Sequence, residues 1–279
     1  MSASPFTPSS PLGVFDSGVG GLSVLRAIRA ELPAEEVVYL GDQGHVPYGP
    51  RTLEEVRAFS AEITRFLLDR GAKLVVVACN AASAAALHSL RQEFPGIPFV
   101  GMEPAVKPAA EITRSGAVGV LATPATFQGE LYASVVERFA HGVTLLQDTC
   151  PGLVAQIEAG ALDAPETRLI LERALRPMLA HGIDTLVMGC THYPFVIPLI
   201  QQIAGPAVRV IDPAPAIARQ AARLLAAQSL LNPSPESGAC HFFTSGSADS
   251  LKVLLPRLLG ESGPVTHLDW AGRTLVRAG

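Results

Sequence analysis

Short apolar runs rich in Val, Ile and Leu recur along the chain with amphipathic stretches between them. Residues 13–15 (GVF), 37–42 (VVYLGD), 73–80 (KLVVVACN), 97–103 (IPFVGME), 117–123 (AVGVLAT), 143–148 (VTLLQD), 184–190 (DTLVMGC) and 208–212 (VRVID) each read as a buried parallel strand. The stretches 52–70, 83–93, 126–140, 166–181 and 214–230 carry apolar residues at helical spacing. Strands alternating with helices predict a doubly wound α/β protein with mainly parallel sheets. Pro-rich 232–235 reads as a surface loop, and residues 1–11 as a flexible leader.

The pattern also repeats at long range. Gly13-Val-Phe aligns with Gly119-Val-Leu, and Asp42 with Asp148, both at an offset of 106 residues. Cys79, closing VVVAC, matches Cys190, closing LVMGC, at 111, and EPAVKPA (103–109) matches DPAPAIA (212–218) at 109. Ordered matches at nearly constant offset predict two pseudo-equivalent lobes, with a cleft between them. The first lobe is expected over 12–102 plus 212–279 and the second over 103–211.

Composition supports this division. At 279 residues the chain is nearly twice the roughly 150 usual for one domain. With 48% hydrophobic and 16% charged residues, it has ample material for large cores, which excludes intrinsic disorder. A mean hydropathy of +0.32 raises a membrane reading, but no apolar run approaches the ~18 residues of a bilayer span. The expectation is no membrane association and, with no secretory pattern at the N-terminus, a cytoplasmic address. Net charge is −4, and the basic residues are scattered, so no nucleic-acid footprint is present.

In doubly wound sheets, ligands bind beyond the carboxyl ends of the strands. Four polar groups follow apolar runs there: Asp16-Ser17, Asp42, Cys79-Asn80 and Cys190-Thr191-His192. The duplication predicts Cys79 and Cys190 on opposite walls of the cleft. Two opposed thiols suit inversion of a carbon acid, one removing a proton and the other delivering one to the opposite face. The alternative is that both are small core residues at strand ends. His192 reads either as a tuner of Cys190 or as a surface residue, and Asp16 as a site acid or a helix N-cap. The loop DSGVGG begins a dinucleotide pattern at Gly18-x-Gly20, with Asp42 as the ribose acid, but Ser23 stands at the third glycine position. Only three lysines, Lys73, Lys107 and Lys252, could form a Schiff base, and no metal-binding spacing occurs, so neither a cofactor nor a metal is expected.

GVFDSGVGGLSVLRAI (13–28), YLGDQGHVPYGPRT (39–52), VVACNAASA (76–84), CPGLVAQIEAG (150–160), DTLVMGCTHYPF (184–195) and FFTSG (242–246) resemble the glutamate racemases of the aspartate/glutamate racemase superfamily. The resemblance implies cofactor-independent interconversion of L- and D-glutamate, with the D-isomer supplied to peptidoglycan. It identifies Cys79 and Cys190 as the acid/base thiols, Cys79 facing the D-isomer and Cys190 the L-isomer. Asp16, Glu158 and His192 fall on supporting positions. Substrate contacts fall on Asp16, Ser17, Pro47, Tyr48, Gly49, Asn80, Ala81, Thr123, Thr126, Thr191 and His192. Ala81 stands where the family has Thr, so its contact reduces to the backbone, and Gln43-Gly44-His45 departs from the commoner Thr-Ala-Arg type. A homodimer is expected. The alternatives are a racemase of aspartate or another acidic amino acid, and a two-lobed binding or regulatory protein with structural cysteines.

Overall fold

A computed structural model describes residues 6–277, and the chain divides into two compact units. The first comprises residues up to Met102 together with Ala214 onward, and the second Glu103–Pro213.

The first unit opens with β1 (Leu12–Asp16), α1 (Gly21–Glu31), β2 (Val37–Gly41), α2 (Leu53–Leu68), β3 (Leu74–Val77), α3 (Asn80–Glu93) and β4 (Phe99–Gly101). β1, β2 and β3 are buried along their whole length, as strands covered on both faces must be. The start of α2 is fixed by a capping box: the Thr52 hydroxyl accepts from the Glu55 amide, and the Glu55 carboxylate accepts from the Thr52 amide.

The second unit runs through α4 (Val106–Ile112), β5 (Ala117–Ala122), α5 (Pro124–Gln128), α6 (Glu130–Phe139), β6 (Thr144–Asp148), α7 (Leu153–Glu158), α8 (Pro165–Ala180), β7 (Thr185–Gly189) and α9 (Ile197–Ala204) to β8 (Arg209–Ile211). A turn of 3₁₀ helix, Tyr193–Val196, precedes α9. The single helix expected over 126–140 is two helices, because Gly129 takes an extended conformation between them. β6 and β8 are the outer strands of this sheet and are only partly covered, so the expectation that they are buried fails at the edges.

The chain then re-enters the first unit with α10 (Ala214–Ala227), β9 (Cys240–Thr244), α11 (Ala248–Leu258), β10 (Val265–Ala271) and β11 (Thr274–Arg277). The two sheets run β11-β10-β9-β2-β1-β3-β4 and β6-β5-β7-β8. The stretch β2-β1-β3-β4 therefore has the same parallel order as β6-β5-β7-β8. This is the duplication in structural form: β1 corresponds to β5, β2 to β6, β3 to β7 and β4 to β8. The first unit's sheet is widened by β9 and β10, both parallel, and by the antiparallel β11.

Of the leader expected to be flexible, residues 1–5 lie outside the described residues. Over 6–11 the expectation is corrected. The Lys73 amide donates to Pro11 O at 2.9 Å, and the buried Lys73 ammonium donates to Pro8 O at 2.5 Å and to Leu230 O at 2.9 Å. The same ammonium pairs with buried Glu35 at 2.6 Å, whose other oxygen accepts from the Asn232 amide at 2.8 Å. Stripping a charge of water is tolerable only when partners replace the water, and here three distant chain segments, around Pro8, Glu35 and Leu230, supply them. Among the described residues, no helix is long and apolar enough to cross a membrane.

Candidate active site

The turn DSGVGG follows β1. Asp16 is fully buried, and its Oδ2 accepts from the Gly18 amide at 2.9 Å. It is not the N-cap of α1, a place that Gly20 takes. The glycine pair reflects crowding, since a Cβ on Gly21 would lie 2.6 Å from Asp16 Cβ. Beyond β3, Cys79 is itself the N-cap of α3, with its sulfur accepting from the Ala82 amide at 3.5 Å and 3.6 Å from Ser17 Oγ. Next to it, Asn80 is buried, yet neither Nδ2 nor Oδ1 has a hydrogen-bond partner. An unsatisfied buried amide is costly unless a ligand completes it. Ala81 follows on the same turn, also buried.

Asp42 follows β2 and is fully buried. Its Oδ2 accepts from Tyr48 Oη at 2.6 Å and His45 Nδ1 at 3.0 Å, and its Oδ1 from Ser245 Oγ at 2.5 Å and Trp270 Nε1 at 2.8 Å. Burial alone would raise this carboxyl, but the donors His45, Ser245, Tyr48 and Trp270 hold it below its ordinary value. With its lone pairs engaged, Asp42 is not free to hold a ribose, which removes the dinucleotide reading. The Tyr48 phenol, nearly fully buried, points at Asp42, and its titration is pushed well up by burial, by Asp42, and by the charges of Cys79 and Asp16. Pro47 is exposed and Gly49 half-buried, in a loop whose Val46–Pro47 peptide is cis.

In the second unit, Cys190 closes β7 as Cys79 closes β3. Cys190 Sγ lies 3.8 Å from His192 Nδ1, and His192 Nε2 lies 2.6 Å from Glu158 Oε1 at the end of α7. His192 is buried, which disposes of the surface reading. Burial pushes its imidazole down, yet the hydrogen bonds to Cys190 and Glu158, and then their charges, hold it well above the ordinary value. Both ring nitrogens thus face acceptors, an arrangement that fits an imidazolium donating to each. Thr191 is buried beside them. After β5, the Thr123 and Thr126 hydroxyls lie 3.1 Å apart.

Sequence reasoning missed Asp42's four donors and Tyr193, which is fully buried and whose phenol is raised by burial and by the charges of Cys190, Cys150 and Asp148. The other cysteines differ in kind. Burial, with Asp148 alongside, pushes Cys150 up, and burial pushes Cys240 up to about 12. Among the described residues, no three His, Cys, Asp or Glu side chains are grouped to hold a metal ion.

Residues 12–221 match the family described as Asp/Glu/hydantoin racemase. The chain belongs to the Asp/Glu racemase family. Curated members similar to it include the glutamate racemase of Roseiflexus sp. strain RS-1, 52% identical over 249 residues, which cover 89% of this chain and 92% of that protein. That of Ectopseudomonas mendocina is 51% identical over 256 residues, 92% and 97% of the two chains. Among solved members, a glutamate racemase isoform from Bacillus anthracis superposes with a TM-score of 0.83 at 34% identity, covering 93% of this chain and 97% of the other. Membership, together with curated glutamate racemases at about half identity over most of the chain, makes it an amino-acid racemase.

Proposed function

We propose that the chain interconverts L- and D-glutamate by exchanging the Cα proton between Cys79 and Cys190. The observation that carries this reading is topological: the two thiols follow β3 and β7, equivalent strands of two units with the same strand order. Glutamate as substrate rests on relatives at about half identity over most of their length.

From L-glutamate, the Cys190 thiolate takes the Cα proton and the Cys79 thiol returns one to the other face, leaving the charges of the pair exchanged. From D-glutamate the roles reverse. His192 and Glu158 hold Cys190 in its acid/base role, while Asp16 and Ser17 serve Cys79. The unsatisfied Asn80 amide, the hydroxyls of Ser17, Thr123, Thr126 and Thr191, and the backbone at 47–49 and 81 receive a zwitterion with two carboxylates. The reaction needs neither metal nor organic cofactor. The product supplies a cell-wall peptide with its D-residue, from a homodimer in the cytoplasm.

The test is isotopic. In D₂O, starting from protiated L-glutamate, early D-glutamate carries deuterium at Cα while the remaining L-glutamate carries little, because the delivered proton comes from a solvent-equilibrated thiol. Protium retained in early D-glutamate, measured by mass spectrometry after chiral separation, would sink the two-thiol mechanism. Cys79→Ser and Cys190→Ser each lose at least about a hundredfold in activity, the scale of general acid–base catalysis. If either variant turns over normally, that cysteine has no part in the proton transfer.

A further inference from the structure

The proposed substrate loop, Pro47–Gly49, is held by residues outside it. Asp42 gathers donors from three places in the first unit: Tyr48 in the loop with His45 just before it, Ser245 after β9, and Trp270 on β10. The His45 ring stacks on Phe59 at 4.0 Å and 9°, and meets Trp270 at 5.0 Å and 61°. Arg51 closes the loop's far end, its Nε donating to His45 O at 2.7 Å with its guanidinium over the Phe59 ring at 5.5 Å. Ser245 adds a second tie by accepting from the Gly44 amide at 2.9 Å. On its other side, the Asp42 amide donates to Asp16 O at 2.9 Å, so this carboxylate stands between the loop and the β1 turn beside Cys79.

A buried carboxylate with four donors has one low-energy arrangement, and losing a donor frees both it and the segments it ties. Tyr48 is the donor that carries the loop, and its titration senses the charge of Cys79. His45 and Trp270 fix the other lone pairs without belonging to the segment that meets substrate. We propose that His45 and Trp270 are positioning residues for the substrate loop, acting through Asp42 on Tyr48. This rests on the glutamate reading above, and makes β10 part of substrate recognition.

Trp270→Phe keeps a ring against His45 and Phe59 but removes the Nε1 donor, and His45→Asn keeps a donor but removes the stacked ring. Each is expected to raise KM for glutamate by about tenfold, the scale of one hydrogen bond to a charged group, with kcat changed far less. Trp270 is the only tryptophan in the chain, so its fluorescence reports on the network directly. Its emission is expected to shift when D-glutamate saturates the Cys79→Ser protein, which can bind without turnover. An unchanged KM in both variants, a loss confined to kcat, or emission blind to D-glutamate overturns the proposal. Normal turnover by Cys79→Ser with an intact emission shift overturns the two-thiol mechanism instead, and leaves the positioning role standing.

Discussion

Cys79 and Cys190 occupy equivalent places but unlike surroundings. The first is capped by a backbone amide and a serine hydroxyl, the second by a histidine that a carboxylate keeps charged. Glu158→Gln removes the charge that helps hold His192 up, so in that variant the imidazole loses its proton at lower pH. Activity is then expected to fall earlier as pH rises than in the wild type, and a superimposable pH–rate profile would disprove the role. Because the enantiomers are isoenergetic, kcat/KM must drop equally in both directions, and any asymmetry shows as kcat and KM changing together in one direction. The stability sign follows from the same raised value: His192 contributes fully below about pH 6.5 and loses its contribution as pH rises through the folded value. The alkaline fall in Tm should accordingly be shallower in Glu158→Gln. Both cysteines were legible in the sequence because they end apolar runs, and His192 because it stands two residues beyond one. Glu158 was not, because a carboxylate closing a short helix carries no periodic signal. Only family resemblance marked it.

At the scale of elements, buried strands announced themselves by apolar runs, whereas β9, β10 and β11 did not. Their burial is uneven, β10 being mostly half-buried and β11 mostly exposed, so no run forms, and Trp270's bond to Asp42 stayed hidden with them. Lys73 shows the same limit, since nothing local in KLVVV discloses a buried ammonium with three partners. Lys73→Met leaves Glu35 buried without its countercharge and frees two carbonyls, so unfolding should become easier by about 3–5 kcal/mol. Adding Glu35→Leu should recover much of that loss. Urea midpoints measure both, and a double variant no better than the single one contradicts the account.

At the scale of the molecule, strand alternation and the long-range repeat made the α/β class and the presence of a repeated unit legible, because both depend only on the sequence of runs. What they did not disclose is how the first sheet is completed. β2 is central only because β9 pairs along its whole length, Val37 with Cys240 through Gly41 with Thr244. That pairing joins strands separated by the entire second unit. During synthesis the second unit is therefore whole while the first still presents an open edge at β2, which closes only once β9 has emerged. Nascent chains arrested at the length where Pro213 has just emerged from the ribosome should show protease resistance within 103–213 and cleavage within the first hundred residues. The part of the protein made first is the part that must wait longest for its partner, and a binder of exposed strand edges has its opportunity in that interval.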